Sequence, residues 1–365
     1  MNPEIQITIQ TEYISGMSSG HEVLTTSGWK PISTVTLEDK VACMEKDKLV
    51  YKNPIQLHHF DNYKGRMYKI KNQQIDLEVT PSHPMLVSKR FGRKAIWLPH
   101  ALEKAKDIEG KHRKSKKDAL WERGDYQFIL PAFGGKPDKV VDMHSWLIFL
   151  GIWIAEGHVS CNNVSITQKK QRVKDELHPV LDKLGFEYAP HTNGKDKDDL
   201  IVKDGQLCNY LNPLSVGVLD KYLPEWVWEL SVDQVQALIH GLWLGNGSKG
   251  NSSSELYYSS SERLADEFMR LCLHAGWSAN MTVHMKEGTE NTICDKPAIY
   301  NHDIYRLGIV KTKTHPAVNH GHRKEQNIQE EEFFDFEGPV YDLSVPSDGF
   351  YVRRNGKPCW IGSST

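Results

Sequence analysis

Phe149-Leu150-Gly151-Ile152-Trp153-Ile154-Ala155-Glu156-Gly157 and Ile239-His240-Gly241-Leu242-Trp243-Leu244-Gly245-Asn246-Gly247 are two versions of one phrase, with Gly151 and Gly241 separated by 90 residues. Each closes a largely apolar stretch, residues 144–156 and 232–244. Such a stretch reads as a helix for the inside of a protein. Both are too short to cross a bilayer, which takes about 20 apolar residues. The segment after each helix also repeats. A β-like run comes first, residues 163–168 (NVSITQ) and 255–260 (ELYYSS), and then a second helix that stops at Gly185 or Gly276. So long a period points to a duplicated α/β unit and not to a solenoid of short repeats.

On both sides of this duplication the texture changes to β. Upstream, short β-rich runs (EVLTT, KVACM, LVYK, RMYKIK, IDLEVT, PMLVS) lie between turn signals such as Ser27-Gly28 and Pro81. Downstream, residues 333–354 (FFDFEGPVYDLSVPSDGFYVRR) read the same way. Between the upstream strands and the duplication, residues 103–117 (EKAKDIEGKHRKSKK) hold seven Lys or Arg. That run reads equally well as a solvated connector or as a DNA-contacting segment. The two β-rich ends are expected to form one domain, interrupted by the duplicated middle.

Composition narrows the function classes. With 45 Lys+Arg against 47 Asp+Glu in 365 residues, the formal charge is −2. Any DNA binding must therefore come from a local patch, because bulk charge cannot supply it. Hydrophobic residues at 39% and charged residues at 25% fit a folded globular chain. The six cysteines (Cys43, Cys161, Cys208, Cys272, Cys294, Cys359) form no C-x-x-C pair, so neither a disulfide framework nor a Cys-rich zinc site is expected. The opening residues lack a signal peptide's basic-then-apolar order, and the reading is a soluble, intracellular (phage- or microbe-encoded) monomer without a membrane partner.

Four blocks at the chain ends then fall into a recognisable order. Glu22-Val23-Leu24-Thr25-Thr26-Ser27-Gly28-Trp29-Lys30-Pro31-Ile32 comes first and Val79-Thr80-Pro81-Ser82-His83-Pro84 second. Val340-Tyr341-Asp342-Leu343-Ser344-Val345-Pro346 and Phe350-Tyr351-Val352-Arg353-Arg354-Asn355-Gly356-Lys357-Pro358 complete the set. Together they resemble an intein, a self-splicing element with the all-β Hint (horseshoe) fold. The resemblance implies self-excision with ligation of the flanking (extein) segments, needing no cofactor. It makes Thr80 the residue that holds the scissile peptide and His83 the acid that protonates the departing amide nitrogen. It places Asp342 beside the nucleophiles. Proton delivery of this kind contributes typically 10²–10⁴-fold.

The middle resembles a LAGLIDADG homing endonuclease with both motif copies in one chain, an α+β duplication inserted in the Hint domain. The resemblance implies that Gly151 and Gly241 let the motif helices pack closely at a pseudo-twofold axis. Each helix end then presents one acid, at Glu156 and at the Asn246 position, and the pair holds Mg²⁺ against the phosphates of a double-stranded DNA target. Leu150, Ile152, Leu242 and Leu244 are read as core. The expected segments are residues 1–15 as an N-terminal flank, 16–132 and 325–363 as the Hint domain, 138–320 as the endonuclease, and 364–365 as a C-terminal flank.

This chain departs from both families where their chemistry is done. Counting back from Val23 puts the first splicing residue on Gly16, which has no nucleophile; Ser15, Ser18 and Ser19 are the alternatives. At the far junction Ser363 stands where the family has Asn, followed by Ser364 as downstream nucleophile. Asn246 stands where the second endonuclease acid belongs. Cys359 does not replace a nucleophile by position and is read as a packed strand residue. The expectation is therefore a splicing-inactive, cleavage-impaired precursor. A free-standing endonuclease with an accessory β domain and a hedgehog-type autoprocessing domain are the competing readings. The T-x-x-H block speaks against the former and the C-terminal block against the latter.

Overall fold

The computed structural model describes residues 13–92, 96–160, 163–190, 199–250, 254–293, 296–319 and 329–363. The chain divides into two compact units, and the first is built from both chain ends. Its backbone is mostly β. Gln56–Lys71 and Glu330–Ser344 pair antiparallel along nearly their whole length, from Glu330 opposite Lys71 to Ser344 opposite Gln56. The register slips once, between Gly338 and Val340. Pro339 lies at that slip, where its missing N–H breaks the ladder least. Met17–Ser18 adds to this pair on one side, Met17 opposite Tyr341, and Asp76–Val79 closes the barrel.

A second sheet runs in the order Lys357–Gly362, Gly349–Arg354, His21–Thr25, Val41–Glu45, Lys48–Lys52, so it joins strands from the two chain ends. The two sheets share a core that includes Val23, Cys43, Ile70, Leu77, Leu343, Val352 and Cys359. Cys359 is fully buried in its strand.

Residues 103–117 correct the connector reading. They form part of a third sheet, with Ala101–Lys104 and Arg113–Ser115 both paired to Pro84–Phe91 and a helical turn, Ala105–Ile108, in between. Lys117 is fully buried, and its Nζ donates to the Gln74 carbonyl and to Asn280 Oδ1. Counting lysines describes the charge and misses that Ala105, Ile108 and the run Ser115, Lys116 and Lys117 are buried.

The second unit takes in residues 122–275 and 281–309. The motif helices are Met143–Glu156 and Val232–Asn246. Asp142 caps the first by accepting from the Ser145 N–H, and Ser231 with Gln234 forms a capping box on the second. Each ends at a glycine, Gly157 or Gly247, and runs directly into a strand. Each is followed by its own four-stranded sheet and an amphipathic helix, Gln171–Leu184 or Glu262–His274.

The unit boundaries differ from the expected 16–132 and 138–320. Residues 122–132 side with the second unit, where Tyr126 stacks on Trp226 and Phe128 on Trp146. Residues 310–319 and 276–280 side with the first. There Ala317–Val318 pairs with Arg113–Lys114, and Ser278 Oγ lies 3.2 Å from the Tyr351 hydroxyl. Among the described residues no helix is long and apolar enough to cross a membrane.

Candidate functional sites

In the first unit, Ile14, Ser15 and Gly16 lie in a cradle made by the turn Thr80–His83 and by Asp342 near the end of Glu330–Ser344. Thr80 and Gly16 clamp each other: the Gly16 N–H donates to Thr80 Oγ1 at 3.0 Å, and the Thr80 N–H donates to the Gly16 carbonyl at 2.8 Å. An added Cβ on Gly16 would lie 3.1 Å from the Tyr341 carbonyl and 3.3 Å from Val340 Cβ. Gly16 thus sits tight against the long strand.

The side chain of Ser15 occupies the middle of the cradle. Its Oγ donates to Asp342 Oδ2 at 2.7 Å and lies 3.0 Å from His83 Nδ1, while His83 Nδ1 and Asp342 Oδ2 are 3.3 Å apart. With the serine proton on the carboxylate side, Nδ1 is the donor to Ser15 Oγ. Both the imidazole and the carboxylate are fully buried, and His83 Nε2 has no hydrogen-bond partner among the described residues. Ser82 Oγ donates to the Ile14 carbonyl. The other Asp342 oxygen, Oδ1, accepts from the Leu343 N–H at 2.8 Å.

One residue along the same strand, Leu343 reaches the far end of the chain. Its carbonyl accepts from Ser363 Oγ at 3.2 Å, and the same hydroxyl oxygen accepts from the Val345 N–H at 2.9 Å. Thr80, His83, Asp342 and the Ser15–Gly16 segment are thereby brought together, and Ser363 is held on the residue next to Asp342. Ser364 and residues 1–12 of the expected N-terminal flank lie outside the described residues. Ser18 points elsewhere, to Glu78 Oε2 at 3.1 Å, and Ser19 is exposed.

Sequence reasoning misses two partners in this unit. Ser82 lies inside the T-x-x-H motif, at one of its unspecified positions. His21 is fully buried, with Nδ1 2.9 Å from the Ser18 carbonyl and Nε2 3.3 Å from the Glu78 N–H. A carbonyl only accepts and an N–H only donates, so His21 is the neutral Nδ1–H tautomer. Burial lowers its pKa to about 3, and it pins the start of the chain to Asp76–Val79.

In the second unit the motif helices approach to backbone contact. An added Cβ on Gly241 would lie 2.4 Å from the Ile148 carbonyl, and one on Gly151 would lie 2.6 Å from the Leu242 nitrogen. Leu150, Ile152, Leu242 and Leu244 are buried core. At the C-terminal ends, Glu156 and Asn246 come together over shared backbone. Asn246 Nδ2 donates to the Ala155 carbonyl at 3.4 Å, and Lys221 Nζ donates to the same oxygen at 2.7 Å. Lys170 Nζ donates to the Gly245 carbonyl at 3.0 Å.

Burial raises the Glu156 pKa, opposed by Lys221 and Lys170; burial lowers that of Lys221, opposed by Glu156. Nothing in the sequence marks these lysines as partners. They lie outside the motifs and meet them only in three dimensions.

Glu156 is the single carboxylate of the motif pair, with two ammonium groups beside it. No cluster of three or more His, Cys, Asp or Glu that could hold a metal occurs among the described residues. The residues present do not make a Mg²⁺ site on their own.

No family model matches the chain. It is 37% identical over 403 residues to a protein of Stigeoclonium helveticum described as the DNA-directed RNA polymerase subunit beta C-terminal section, covering 97% of this chain and 37% of that one. It is 31% identical over 467 residues to the ATP-dependent Clp protease proteolytic subunit of Chlamydomonas moewusii, covering 96% of this chain and 45% of that one. The chain thus spans about two fifths of the length of these curated relatives.

Among solved structures, it is similar to a splice-inactive variant of the AceL NrdHF class 3 split intein. That match has 21% identity and a TM-score of 0.22, over 35% of this chain and 71% of that one. It is also similar to I-DmoI G20S in complex with its target DNA in the presence of Mg, at 17% identity and a TM-score of 0.33, over 46% of this chain and 89% of that one.

Proposed function

We propose that the chain is an intein-type precursor: a self-processing β unit interrupted by a DNA-binding unit of homing-endonuclease type. The observation that carries this reading is the cradle, in which Ser15, His83 and Asp342 meet and Ser363 sits on the neighbouring residue of one strand. Ligation needs both junctions at one active site, and a shared strand supplies that proximity. The comparisons support it further. Nearly the whole chain aligns within two relatives whose names describe unrelated proteins, which is how an inserted element behaves.

The geometry favours Ser15 over Gly16 as the residue that starts the reaction. Ser15 Oγ attacks the Ile14 carbonyl carbon, its proton passing to Asp342. Ser82 donates to the oxygen that becomes negative. His83 Nδ1–H protonates the Ser15 nitrogen as the Ile14–Ser15 amide bond breaks, and Nδ1 takes the Ser15 proton back from Asp342 Oδ2, 3.3 Å away, leaving an ester, a free amine, a neutral imidazole and an ionised carboxylate. Protons and bonds balance, and no metal takes part. Gly16, clamped by Thr80, holds the segment in register. Ser363 cannot cyclise as an Asn would, so ligation stops there. In the second unit Asn246 gives up one acid, and duplex binding outlasts cleavage.

Two variants with tags at both ends test this. Ser363→Asn alone should join the flanks directly between Ile14 and Ser364. If instead Gly16 is the first splicing residue, only Gly16→Cys combined with Ser363→Asn ligates, and the product is heavier by one serine. Mass spectrometry separates the two. Folded protein that neither cleaves nor ligates in either variant overturns the splicing reading.

A further inference from the structure

The lysine-rich stretch 103–117 is not used by the cradle, and its sheet sorts it into two unlike faces. In the strand pairing, Arg113 lies opposite Lys89 and Lys114 opposite Ser88, while Trp97 lies opposite Arg90. Side chains alternate along a strand, so Lys89 and Arg113 share one face and Ser88, Arg90, Trp97, His112 and Lys114 share the other. On the first face the two cations share one carboxylate. Arg113 donates twice to Glu103 Oε2, at 3.1 and 2.9 Å, and Lys89 lies 3.8 Å from the same carboxylate.

The second face gathers its cations around an aromatic ring instead. Trp97 is bracketed by the Arg90 guanidinium at 5.5 Å and the Lys114 ammonium at 4.5 Å from its ring, with His112 edge-on at 5.0 Å. Lys114 also lines a cavity of about 670 Å³ with Lys313, His315 and the amides of Asn72, Gln73 and Gln74, and no acidic side chain is among the described residues that line it. Asp118 is the carboxylate closest in sequence, and it is already bonded to Lys116, Thr314 and His315.

We propose that this face of the first unit binds the phosphate backbone of duplex DNA, with Lys114 at its centre and Arg90 and Lys313 beside it. Three cations spread over neighbouring segments exceed what one small anion needs and match a polyanion. The flat Trp97 ring and the amide-lined cavity offer a sugar-phosphate chain contacts beyond charge. A chain with net charge −2 can hold DNA only through patches of this kind. The choice of duplex DNA as partner rests on the DNA-binding reading of the second unit.

The test uses the full chain and a random-sequence duplex, with affinity measured across a salt series. Arg90→Gln, Lys114→Gln and Lys313→Gln together should weaken binding and flatten the dependence of log K on log salt by about 3, since each phosphate contact contributes about 0.9. Lys89→Gln, on the face that carries Glu103, should leave the slope unchanged. Binding that persists with an unchanged slope in the triple variant overturns this surface and leaves the second unit's reading intact. No binding by the parent chain at low salt overturns both. Polyglutamate that competes as well as duplex at equal charge overturns the nucleic-acid assignment.

Discussion

The junction cradle and the motif-helix ends each set an acid beside a base, yet they are opposite kinds of site. In the cradle, a buried carboxylate and a buried imidazole converge on one hydroxyl, and the surrounding backbone groups are used to hold the chain being acted upon. At the helix ends, the carboxylate of Glu156 has no acidic mate within the motif pair, and the lysines direct their protons to the Ala155 and Gly245 carbonyls. On the proposed reading, the first serves proton transfer, and the second ends two helices and faces a polyanion. A missing residue at the cradle interrupts a reaction, whereas a missing residue at the helix ends leaves the packing whole.

The largest expected effect lies in the cradle. With hydroxylamine added to intercept an ester, the parent chain should be cut between Ile14 and Ser15. His83→Ala should slow that cut by about 10²–10⁴-fold, followed as the mass of the released fragment over time. Ser15→Ala should abolish it. Unchanged rates in both variants would break the contrast between the sites.

Packing comes next. Gly241→Val puts a Cβ against the Ile148 carbonyl, where backbone meets backbone, and should cost about 3 kcal/mol. Gly16→Ala meets its neighbours only at 3.1 Å and beyond, and should cost about 1 kcal/mol or less. Thermal unfolding of the two variants measures the difference, and equal costs would show that the helix crossing is looser than its geometry.

A third expectation sets the buried Lys117 against the half-buried Lys221. Lys117 has only carbonyl oxygens as its hydrogen-bond partners among the described residues, and burial lowers its pKa to about 7. Its folded pKa lies below the unfolded value of 10.5, so the unfolded chain binds more protons between those values. Stability should therefore rise as pH rises from 7 towards 10, by up to about 1.4 kcal/mol per pH unit from this group. Lys117→Met should flatten that slope in urea unfolding series. Lys221→Met should change it less, because Glu156 opposes the shift there.

The smallest effect belongs to the helix ends. Asn246→Asp adds a carboxylate beside Glu156 and should raise Mg²⁺-dependent nicking of a target duplex by on the order of tenfold. Calorimetry should register tighter Mg²⁺ binding than the parent's. Equal binding and cutting by both proteins would mean that the lysines, and not the absent acid, set the limit.

Much of this was legible in the sequence. The repeat showed two like helices, and the family resemblance implied the close approach that the structure places at Gly151 and Gly241. Thr80, His83 and Asp342 were marked by motif, and they meet. Ser15 was left among three serines because counting along a strand fixes a register only to within a residue or so. Spatial contact with Asp342 separates it from Ser18 and Ser19. Lys170, Lys221 and His21 were invisible for another reason: their roles are set by backbone carbonyls and amides, which carry no sequence signature. The run 103–117 misled because its lysines were counted without the strand pairing around Arg113–Ser115, after which Lys116 and Lys117 are buried.

Asp342 and Leu343 stand side by side on Glu330–Ser344, one holding the first chain end and the other holding the last. A carboxylate that accepts a proton from Ser15 also loosens its charge-assisted grip on the Leu343 amide, since ionised acceptors bond about twice as strongly as neutral ones. That change is felt one residue on, at the carbonyl that seats Ser363. On the proposed route the strand would work as an interlock, making events at the second junction wait on the first across a single residue with no moving part.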